Sequence, residues 1–395
     1  MTAVALCAVG AEKVVSNELR KLGISVIDSR FGRVRFSADT AGLYRALIGL
    51  RAADRVLLEA GFFPAEDFDA LYKGVNTIPW ERYIPAAMGL KVDKVRAGRS
   101  RLEAVTSIQA VVHKAAAERL CRQYTLKRLP ETAAPAEIRV YMEKDQVSLL
   151  LDLSGEPLFK RGYRLEGGVA PLRETTAAAL ILLTNWRRKY TLCDPFCGSG
   201  TIIIEAAMYA WDMAPGLGRR FVIQDLLIAD KEIEERERQT FLGRVDFSRP
   251  IHIFGSDSDA RAVNSARSNA ERSYELALGK IPRKISNDNR PPLHLPGLPV
   301  FKTLAMQDVR PLEREDGLES GYIITNPPYG KRLGEKAGAE AAYAQMAVLA
   351  RNFPGWKLGV ICDHPGFESF FGRKAESCRE ISNGAVQLYF YQFEL

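Results

Sequence analysis

Between a short apolar strand and a helix, the chain reads Asp194-Pro195-Phe196-Cys197-Gly198-Ser199-Gly200-Thr201. Glycines at a strand-to-helix turn let the backbone bend tightly and approach a ligand closely, as nucleotide-like ligands require. Their spacing is not the GxGxxG of a pyrophosphate site, and no GKS or GKT ending of a P-loop follows. A ligand without phosphate but with an ammonium group suits this loop better, with Asp194 near the ammonium and the Gly198–Gly200 backbone over the amino-acid end.

This octapeptide supplies six candidate ligand-binding residues: Asp194, Pro195, Phe196, Gly198, Gly200 and Thr201. Two acids farther along the chain extend the candidate site. Asp257 ends the next strand and is placed to accept hydrogen bonds from ribose hydroxyls, whereas Asp259 is expected to cap the following helix. Asp308 follows a third strand and is placed to bond an adenine amino group. The alternative reading is a plain glycine-rich turn, with acids that only cap helices.

The residues around this loop alternate strands with helices. Strands are predicted at Tyr190–Cys193, Ile251–Gly255, Val300–Met306, Gly321–Thr325, Lys357–Ile361 and Gln387–Phe393. Helices are predicted at Leu172–Leu183, after Gly200, at Asp259–Tyr274 and at Ala339–Phe353. This alternation predicts an α/β fold with a mostly parallel, doubly wound sheet. Residues 208–247 and 277–299 fit poorly, and we interpret both as insertions at the rim of the sheet.

A second loop indicates the reaction. Asn326-Pro327-Pro328-Tyr329 follows the apolar strand that ends at Thr325, and the consecutive prolines make the loop rigid. A loop carbonyl and the Asn326 side-chain oxygen are placed to accept both hydrogens of an exocyclic amino group, which localises the nitrogen lone pair for attack. Tyr329 offers a face on which an extruded base can stack. Asn326, Pro327, Pro328 and Tyr329 are therefore the candidate catalytic residues, against the alternative of a Pro-Pro turn that merely ends a strand.

The excess of positive over negative charge is confined to the N-terminal part of the chain. Residues 1–165 contain 26 Lys and Arg against 19 Asp and Glu, whereas the remaining residues contain 29 of each. This asymmetry favours a polyanion-binding module joined to an electrically balanced one, although a solubility surplus alone would give a similar count. The candidate phosphate contacts are Lys91, Lys94, Arg96, Arg99 and Arg101, just before a predicted helix at Ser107–Leu120.

Short strands and helices also alternate through residues 1–155, which predicts an α+β module. Its strands are predicted at Val4–Val9, Val26–Ser29, Arg33–Phe36, Arg55–Gly61, Gly89–Arg96, Ala136–Glu143 and Gln146–Leu153. Residues 155–171 contain Gly and Pro with alternating polarity, and we interpret them as the linker to the second module.

Residues 194–201 resemble motif I of the class I, Rossmann-like methyltransferases, and Asn326–Tyr329 resemble the (N/D)PP(Y/F) motif of amino-methyltransferases. The N-terminal half is similar to the ferredoxin-like plus THUMP arrangement of RNA-modifying enzymes. The matching stretches are Lys91–Arg101, Thr106–Ala110, Leu149–Gly155, Lys160–Arg164 and Ala170–Thr175. The resemblance covers nearly the whole chain and is closest to the THUMP-containing guanine-N2 methyltransferases of 23S ribosomal RNA.

This resemblance implies three units: a ferredoxin-like subdomain at residues 1–58, a THUMP RNA-binding domain at 59–164 and a methyltransferase domain at 165–395. It implies S-adenosyl-L-methionine as cofactor and structured RNA, ribosomal RNA above all, as partner. The implied reaction is methyl transfer to N2 of a guanine. The residues alone leave adenine N6 open, because both bases present the same amino group to the same loop.

Composition narrows the class of protein. The content is 47% hydrophobic and 26% charged, and no apolar stretch approaches the length of a membrane helix. The six cysteines form no CxxC pair and the four histidines are scattered, so we expect no metal site and a cytoplasmic location. The alternatives are a DNA adenine-N6 methyltransferase, a non-catalytic RNA-binding assembly factor and a protein glutamine-N5 methyltransferase. The basic N-terminal module argues against the last.

Overall fold

The computed structural model of the chain describes residues 1–164, 172–277, 298–329, 336–383 and 386–395. Two seven-stranded sheets organise it, one in each half of the chain. The first half contains, in order, β1 (Thr2–Cys7), α1 (Glu12–Lys21), β2 (Ser25–Arg30), β3 (Arg33–Ser37), α2 (Thr40–Gly49), β4 (Ala53–Pro64), α3 (Phe68–Thr77), β5 (Leu90–Gly98), α4 (Val105–Gln123), β6 (Ala136–Glu143) and β7 (Gln146–Asp152). The sequence had predicted each of these seven strands to within a few residues.

The N-terminal sheet has the strand order β2-β3-β1-β4-β7-β6-β5 and is antiparallel except for the β5–β6 pair. Its long central strand β4 pairs with β1 on one side and with β7 on the other. The predicted boundary after residue 58 therefore falls inside β4, and one continuous sheet runs through both predicted N-terminal units.

The two faces of this sheet differ because side chains alternate along each strand. One face carries Ala3, Val34, Phe36 and Val56, which pack with the helices in the main hydrophobic core. On the other face a small apolar cluster of Val4, Leu57, Tyr141 and Leu150 packs apart from that core, surrounded by charged side chains. The helices thus cover one face of the sheet, and the second is an open face.

The second half contains α5 (Glu174–Leu183), β8 (Thr191–Asp194), α6 (Thr201–Ala210), α7 (Lys231–Leu242), β9 (Ile253–Asp257), α8 (Ala260–Ala277), β10 (Val300–Thr303), β11 (Gly321–Thr325), α9 (Lys336–Gln345), α10 (Val348–Asn352), β12 (Lys357–Cys362), α11 (Phe367–Phe371), β13 (Ser377–Asn383) and β14 (Val386–Glu394). The strand order is β10-β9-β8-β11-β12-β14-β13. The first five of these are parallel, and β14 and β13 are antiparallel, which confirms the doubly wound α/β prediction.

Neighbouring residues of the C-terminal strands belong to different cores. In β8, Leu192 packs in the main core and Cys193 in a second one; in β11, Ile324 and Ile323 divide in the same way. Such continuous apolar strands are typical of a parallel sheet that is buried on both faces. Because both faces are buried, the ends of the strands are the part of this sheet that remains available to a ligand.

Three details differ from the sequence prediction. The strand predicted at 300–306 stops at Thr303, and the helix predicted at 339–353 is divided into α9 and α10. Strand β13 was not predicted, because its sequence Ser-Cys-Arg-Glu-Ile-Ser-Asn lacks apolar alternation. It lies at the sheet edge, where β14 is its neighbour in the sheet.

The predicted insertion at residues 208–247 contacts the N-terminal half of the chain. Its helix α7 packs against α2 of the N-terminal half, where Glu237 pairs with Arg45 at 3.3 Å. The backbone N–H of Gly216 also donates to the carbonyl of Ile48 at 2.9 Å. The insertion therefore joins the two halves. Residues 278–297 of the second predicted insertion lie outside the described residues.

The predicted linker is also partly wrong. Residues 165–171 lie outside the described residues, but Arg161 and Tyr163 are buried. Arg161 pairs with buried Glu205 of α6 at 3.4 Å, and an isolated bridge joins Val9 to Ser382 of β13. Because buried polar groups hold both halves together, residues 155–164 act as a packed joint.

Among the described ranges, no helix has the length and apolar character needed to span a membrane.

Candidate active site

The candidate site forms where parallel strands end. Strands β10, β9, β8 and β11 are consecutive neighbours, and their carboxyl ends share one edge of the sheet. Asp308, Asp257, the glycine loop at 195–200 and the Asn326–Tyr329 loop follow these four strands in the same spatial order. Residues that are more than 100 positions apart in sequence thus come to one edge, as ligand sites of open α/β sheets do.

The glycine loop is shaped by two residues with positive φ. Gly198 has φ +52° and Gly200 has φ +85°, values at which a side chain would be strained. A Cβ at Gly200 would lie 2.9 Å from Ala266, so this glycine lets α6 pack close to α8. A Cβ at Gly198 would meet no atom within 4 Å, so the space beside Gly198 is open. Gly200 therefore serves packing, whereas Gly198 leaves room for a ligand.

Asp194 is 1% exposed and links the two predicted loops. Its Oδ1 accepts hydrogen bonds from the Phe196 N–H at 3.0 Å and from the Thr325 hydroxyl at 2.7 Å. Burial raises the pKa of Asp194 to about 7, against the lowering effect of these two hydrogen bonds. The carboxyl group thus fastens the glycine loop to the strand that leads into Asn326.

Asp257 supports the same loop from the next strand. Its Oδ2 accepts from the Gly198 N–H and its Oδ1 from the Asp259 N–H, both at 3.0 Å. Asp259 accepts in turn from the Arg261 N–H at 2.8 Å in the first turn of α8, as expected for a cap. Asp257 is half-buried, so the carboxylate that orients Gly198 remains partly open to a ligand.

The other candidate ligand-binding residues have different surroundings. Asp308 is exposed on a short 3-10 turn, Met306–Asp308. Pro195 is buried and Phe196 is half-buried. The hydroxyl of Thr201, the first residue of α6, accepts from Arg164 Nη2 at 2.6 Å. Asp308 and Phe196 are therefore accessible, whereas Pro195 and Thr201 shape the loop.

In the second loop, Pro327 is buried and Pro328 is exposed. The Tyr329 hydroxyl donates to Asn326 Oδ1, and the Tyr343 hydroxyl donates to the Pro328 carbonyl at 3.2 Å. Burial, followed by the proximity of Cys362 and Asp363, raises the pKa of Tyr329 above its usual range. Tyr329 therefore stays protonated and acts as a hydrogen-bond donor toward Asn326.

Two residues of this site were missed from the sequence. Thr325, which is fully buried, connects both loops through Asp194, and Tyr343 on α9 holds the Pro328 carbonyl. Thr325 directly precedes Asn326, so its position was a usable signal. Tyr343 comes from a separate helix, and nothing local in the sequence indicated it.

Burial also raises the pKa of the Cys193 and Cys197 thiols, which agrees with a packing role for both.

The five candidate phosphate contacts do not form one cluster. Lys91, Lys94 and Arg96 lie on β5, at the edge of the N-terminal sheet. Arg99 is exposed in the following turn, and Arg101 forms ion pairs with Glu66 and Asp145.

The described part of the chain contains no group of three or more potential metal ligands.

Comparison with known proteins places both halves of the chain. Residues 161–278 and 287–392 match the family described as the RMKL-like methyltransferase domain. Residues 2–57 match the RlmL ferredoxin-like domain. The first match spans the C-terminal sheet, and the second covers β1, β2, β3 and the start of β4 in the N-terminal sheet. Together they confirm the Rossmann-like and the ferredoxin-like expectation.

Two curated relatives align over almost the whole chain. YpsC of Bacillus subtilis, named as a candidate RNA methyltransferase, is 35% identical over 99% of this chain and 95% of its own length. The ribosomal RNA large subunit methyltransferase K/L of Syntrophotalea carbinolica is 32% identical over 98% of this chain and 52% of its own length. The chain therefore spans about half the length of this K/L relative.

Two solved structures share the fold over their whole length. A candidate methyltransferase complexed with SAH is 33% identical, with a TM-score of 0.85 over 100% of this chain and 97% of its own. A Listeria monocytogenes protein, described as a predicted N6-adenine-specific DNA methylase, is 35% identical, with a TM-score of 0.85 over 99% of this chain and 95% of its own. The names of these proteins agree on methylation and differ on the nucleic acid.

Proposed function

Because the chain belongs to the RMKL-like methyltransferase family, we propose that it transfers a methyl group from S-adenosyl-L-methionine to N2 of a guanine in large-subunit ribosomal RNA. The observation that supports this reaction best is the link between the two loops. Asp194 of the glycine loop accepts from Thr325, one residue before Asn326. A methyl donor over the first loop and an amine at the second are thereby held next to each other.

The residues at the glycine loop fit S-adenosyl-L-methionine, the family's cofactor, whose product SAH occupies a structural relative. The open space beside Gly198 lets a ligand approach the backbone, and Asp257 and Asp308 offer carboxylates at the next two strand ends. Asp257 would hold the ribose hydroxyls and Asp308 the adenine amino group. When bound, the cofactor supplies an electrophilic methyl group and leaves as S-adenosylhomocysteine.

Asn326 and Tyr329 act on the target base. In the structure Asn326 Oδ1 accepts from the Tyr329 hydroxyl, so an incoming amino group would replace or share that hydrogen bond. An acceptor at the amine hydrogens localises the nitrogen lone pair for attack on the methyl carbon. The methylated nitrogen is cationic and acidic, so it then releases one of these hydrogens as a proton to solvent. Because Tyr329 remains protonated, it stacks against the base or donates to it and does not act as the base catalyst.

The choice of guanine N2 rests on the likeness to the K/L methyltransferases. It rests also on the occurrence, in one chain, of the Asn326–Tyr329 loop and an N-terminal half that matches the RlmL ferredoxin-like domain.

We also propose the division into residues 1–58, 59–164 and 165–395, with the first two units, which share one sheet, acting together on RNA. Their excess of positive charge suits a polyanionic substrate.

The experiment is nucleoside mass spectrometry of 23S ribosomal RNA from a strain that lacks this protein. Loss of N2-methylguanosine, restored by the wild-type chain and not by Asn326→Ala, is the expected result. Purified protein should place the same modification on RNA from the deletion strain. Unchanged N2-methylguanosine together with N6-methyladenine in duplex DNA would replace the proposal with DNA adenine methylation.

A further inference from the structure

The open face of the N-terminal sheet is built from strands of both predicted N-terminal units. Leu6 of β1 lies between Arg33 of β3 and Arg55 of β4. Tyr141 of β6 lies between Ser148 of β7 and Arg96 of β5. A groove of about 200 Å³ crosses this face. Its lining includes the aromatic residues Phe62 and Tyr141. Its charged lining residues are Arg30, Arg33, Arg35, Asp28, Glu59 and Glu143.

Two guanidinium groups meet at one aromatic ring in this face. Arg33 of β3 lies 4.8 Å and Arg96 of β5 lies 5.9 Å from the centre of the Tyr141 ring. Tyr141 itself is 9% exposed, so the surface offered to solvent is made largely by the cations beside it. Planar cations held near a buried ring provide flat, positively charged surfaces on which bases stack.

Phe62 adds an exposed aromatic side chain to the same face. It lies on β4 opposite Ser148, lines the groove and is 59% exposed. An exposed phenylalanine inside a sheet loses the hydrophobic stabilisation that burial would give. A base stacked on the ring would recover part of it.

The charges on this face that have no ion-pair partner among the described residues are positive. Arg33 pairs with Glu143 at 3.9 Å. Arg35 pairs with Asp28 and Glu59, and Arg55 pairs with Asp152. Among the described residues, no ion pair engages Arg30, Lys94 or Arg96. Burial and then the nearby Arg96 and Arg139 lower the pKa of Lys94, as expected where cations are crowded. Phosphates would relieve this crowding.

We propose that this open face binds a single-stranded stretch of the substrate RNA. A base stacks on Phe62, further bases lie against the guanidinium planes of Arg33 and Arg96, and phosphates contact Arg30 and Lys94. Single-stranded RNA fits better than a duplex, because base faces in an A-form helix are already stacked and only its edges and backbone can reach a flat surface. This inference rests on the proposed function, since it assumes that RNA is the substrate.

The footprint differs from the one predicted from sequence. Lys94 and Arg96 belong to it, whereas Lys91 pairs with Asp93 and Glu137. Arg99 and Arg101 lie in the turn beyond β5. The new members, Arg30, Arg33 and Phe62, come from β2, β3 and β4, more than 25 residues earlier in the chain. Only the pairing of β3, β1, β4, β7 and β6 brings them beside Tyr141.

The test compares Phe62→Ala with Phe68→Ala in the full-length protein. Phe68, the first residue of α3, is 37% exposed and belongs to the helical layer on the other face. Binding of a fluorescein-labelled, unstructured 12-nucleotide RNA is followed by anisotropy. Stacking of one base contributes about 1–3 kcal/mol, so Phe62→Ala should weaken binding by roughly 5- to 150-fold. Phe68→Ala should match wild type, and Phe62→Tyr should retain most of the affinity.

Arg33→Ala should also weaken binding of the single strand, and a duplex of the same sequence should respond less to either change. Equal affinities of Phe62→Ala and Phe68→Ala for the single strand would overturn the inference. Methylation of ribosomal RNA by the wild-type protein is measured in parallel. If methylation is normal while both variants bind alike, the open-face proposal alone fails; if wild type methylates no RNA, the proposed function fails.

Discussion

The two seven-stranded sheets differ in the part of the sheet that is available for binding. In the C-terminal sheet, adjacent residues of β8 and β11 enter separate cores, so both faces are buried and only strand ends are free. In the N-terminal sheet, helices pack on one face, and the other carries charged and aromatic side chains. The parallel sheet presents an edge that suits one nucleoside, whereas the antiparallel sheet presents a surface that suits a polymer.

The difference follows from strand direction. Parallel strands end at the same edge, so loops after β8, β9, β10 and β11 meet without any special arrangement of the chain between them. Antiparallel strands end alternately at opposite edges, and what they share is a face. Catalysis needs a few groups at one point, and polymer binding needs many groups over a surface, so each sheet suits its proposed task.

The largest effect is expected at the joint that holds the two sheets together. Arg161→Met would leave the buried Glu205 carboxylate without its charge partner, which typically costs about 3–5 kcal/mol of stability. We expect the single urea unfolding transition to move to lower urea and to separate into two, one for each sheet. Tryptophan fluorescence and far-UV circular dichroism would follow the transitions.

The matched control is the neighbouring pair of Lys160 and Glu156, which lies at 2.8 Å on the surface. Lys160→Met should change stability by less than about 1 kcal/mol, because exposed ion pairs contribute little. Replacing both Arg161 and Glu205 with apolar residues should restore part of the loss. Equal effects of Arg161→Met and Lys160→Met would mean that the joint does not couple the two sheets.

The second effect concerns the edge of the C-terminal sheet. Asn326→Ala removes the proposed acceptor for the target amine, so methyl transfer should fall by about 100-fold or more. Cofactor affinity should change little, because the glycine loop is held by Asp194 and Asp257. Single-turnover transfer and calorimetry with S-adenosylhomocysteine measure the two quantities separately.

Tyr329→Phe is the companion variant for this edge. It removes the hydroxyl that donates to Asn326 but keeps the ring, so activity should be largely retained if the ring stacks on the base. Tyr329→Ala should weaken productive binding of the RNA instead. Full activity of Asn326→Ala would exclude the second loop from the mechanism.

The sequence could place the candidate residues of the C-terminal site at one edge of the sheet, because their positions depend on local signals. Each candidate stretch lies at the end of a strand or a few residues after it, so recognising the strand places the residues at the edge. The open face of the other sheet could not be predicted. Arg33, Phe62 and Arg96 occupy one position each on three strands. The strand order, a bulge between Glu59 and Gly61 and a bulge between Val92 and Lys94 decide their common face.

The same reasoning applies to the connecting segments. The insertion at 208–247 carries a charge-rich helix whose partner, α2, lies more than 180 residues away, so its local sequence does not show what it packs against. The predicted linker contains Arg161, which is buried together with its ion-pair partner Glu205. In both places an ion pair between residues distant in sequence contributes to the packing, and the local pattern does not show that pair.

A smaller effect is expected for the carboxylate that supports Gly198. Asp257→Ala removes the acceptor of the Gly198 N–H and the proposed ribose contact, so S-adenosylhomocysteine binding should weaken by about 1–3 kcal/mol. Asp259→Ala is the control, because Asp259 accepts from Arg261 in the first turn of α8. Calorimetry on both variants should separate a ligand contact from a helix cap. Equal weakening in the two variants would assign Asp257 a structural role only.

The smallest effect concerns how RNA affinity depends on salt, and it separates the open face from the turn beyond it. Each phosphate contact to single-stranded nucleic acid contributes a slope of about 0.7 in log affinity against log salt. Lys94→Ala should therefore reduce the slope by about that amount, since among the described residues no ion pair engages Lys94. Arg101→Ala should reduce it less, because Arg101 is already paired with Glu66 and Asp145 and would have to leave both to meet a phosphate. Anisotropy titrations between roughly 50 and 200 mM salt resolve the two slopes. A larger change in the salt slope for Arg101→Ala than for Lys94→Ala would place the bound RNA at the turn and not on the open face. Arg101 could affect the slope that strongly only if an RNA phosphate displaced Glu66 and Asp145 from it.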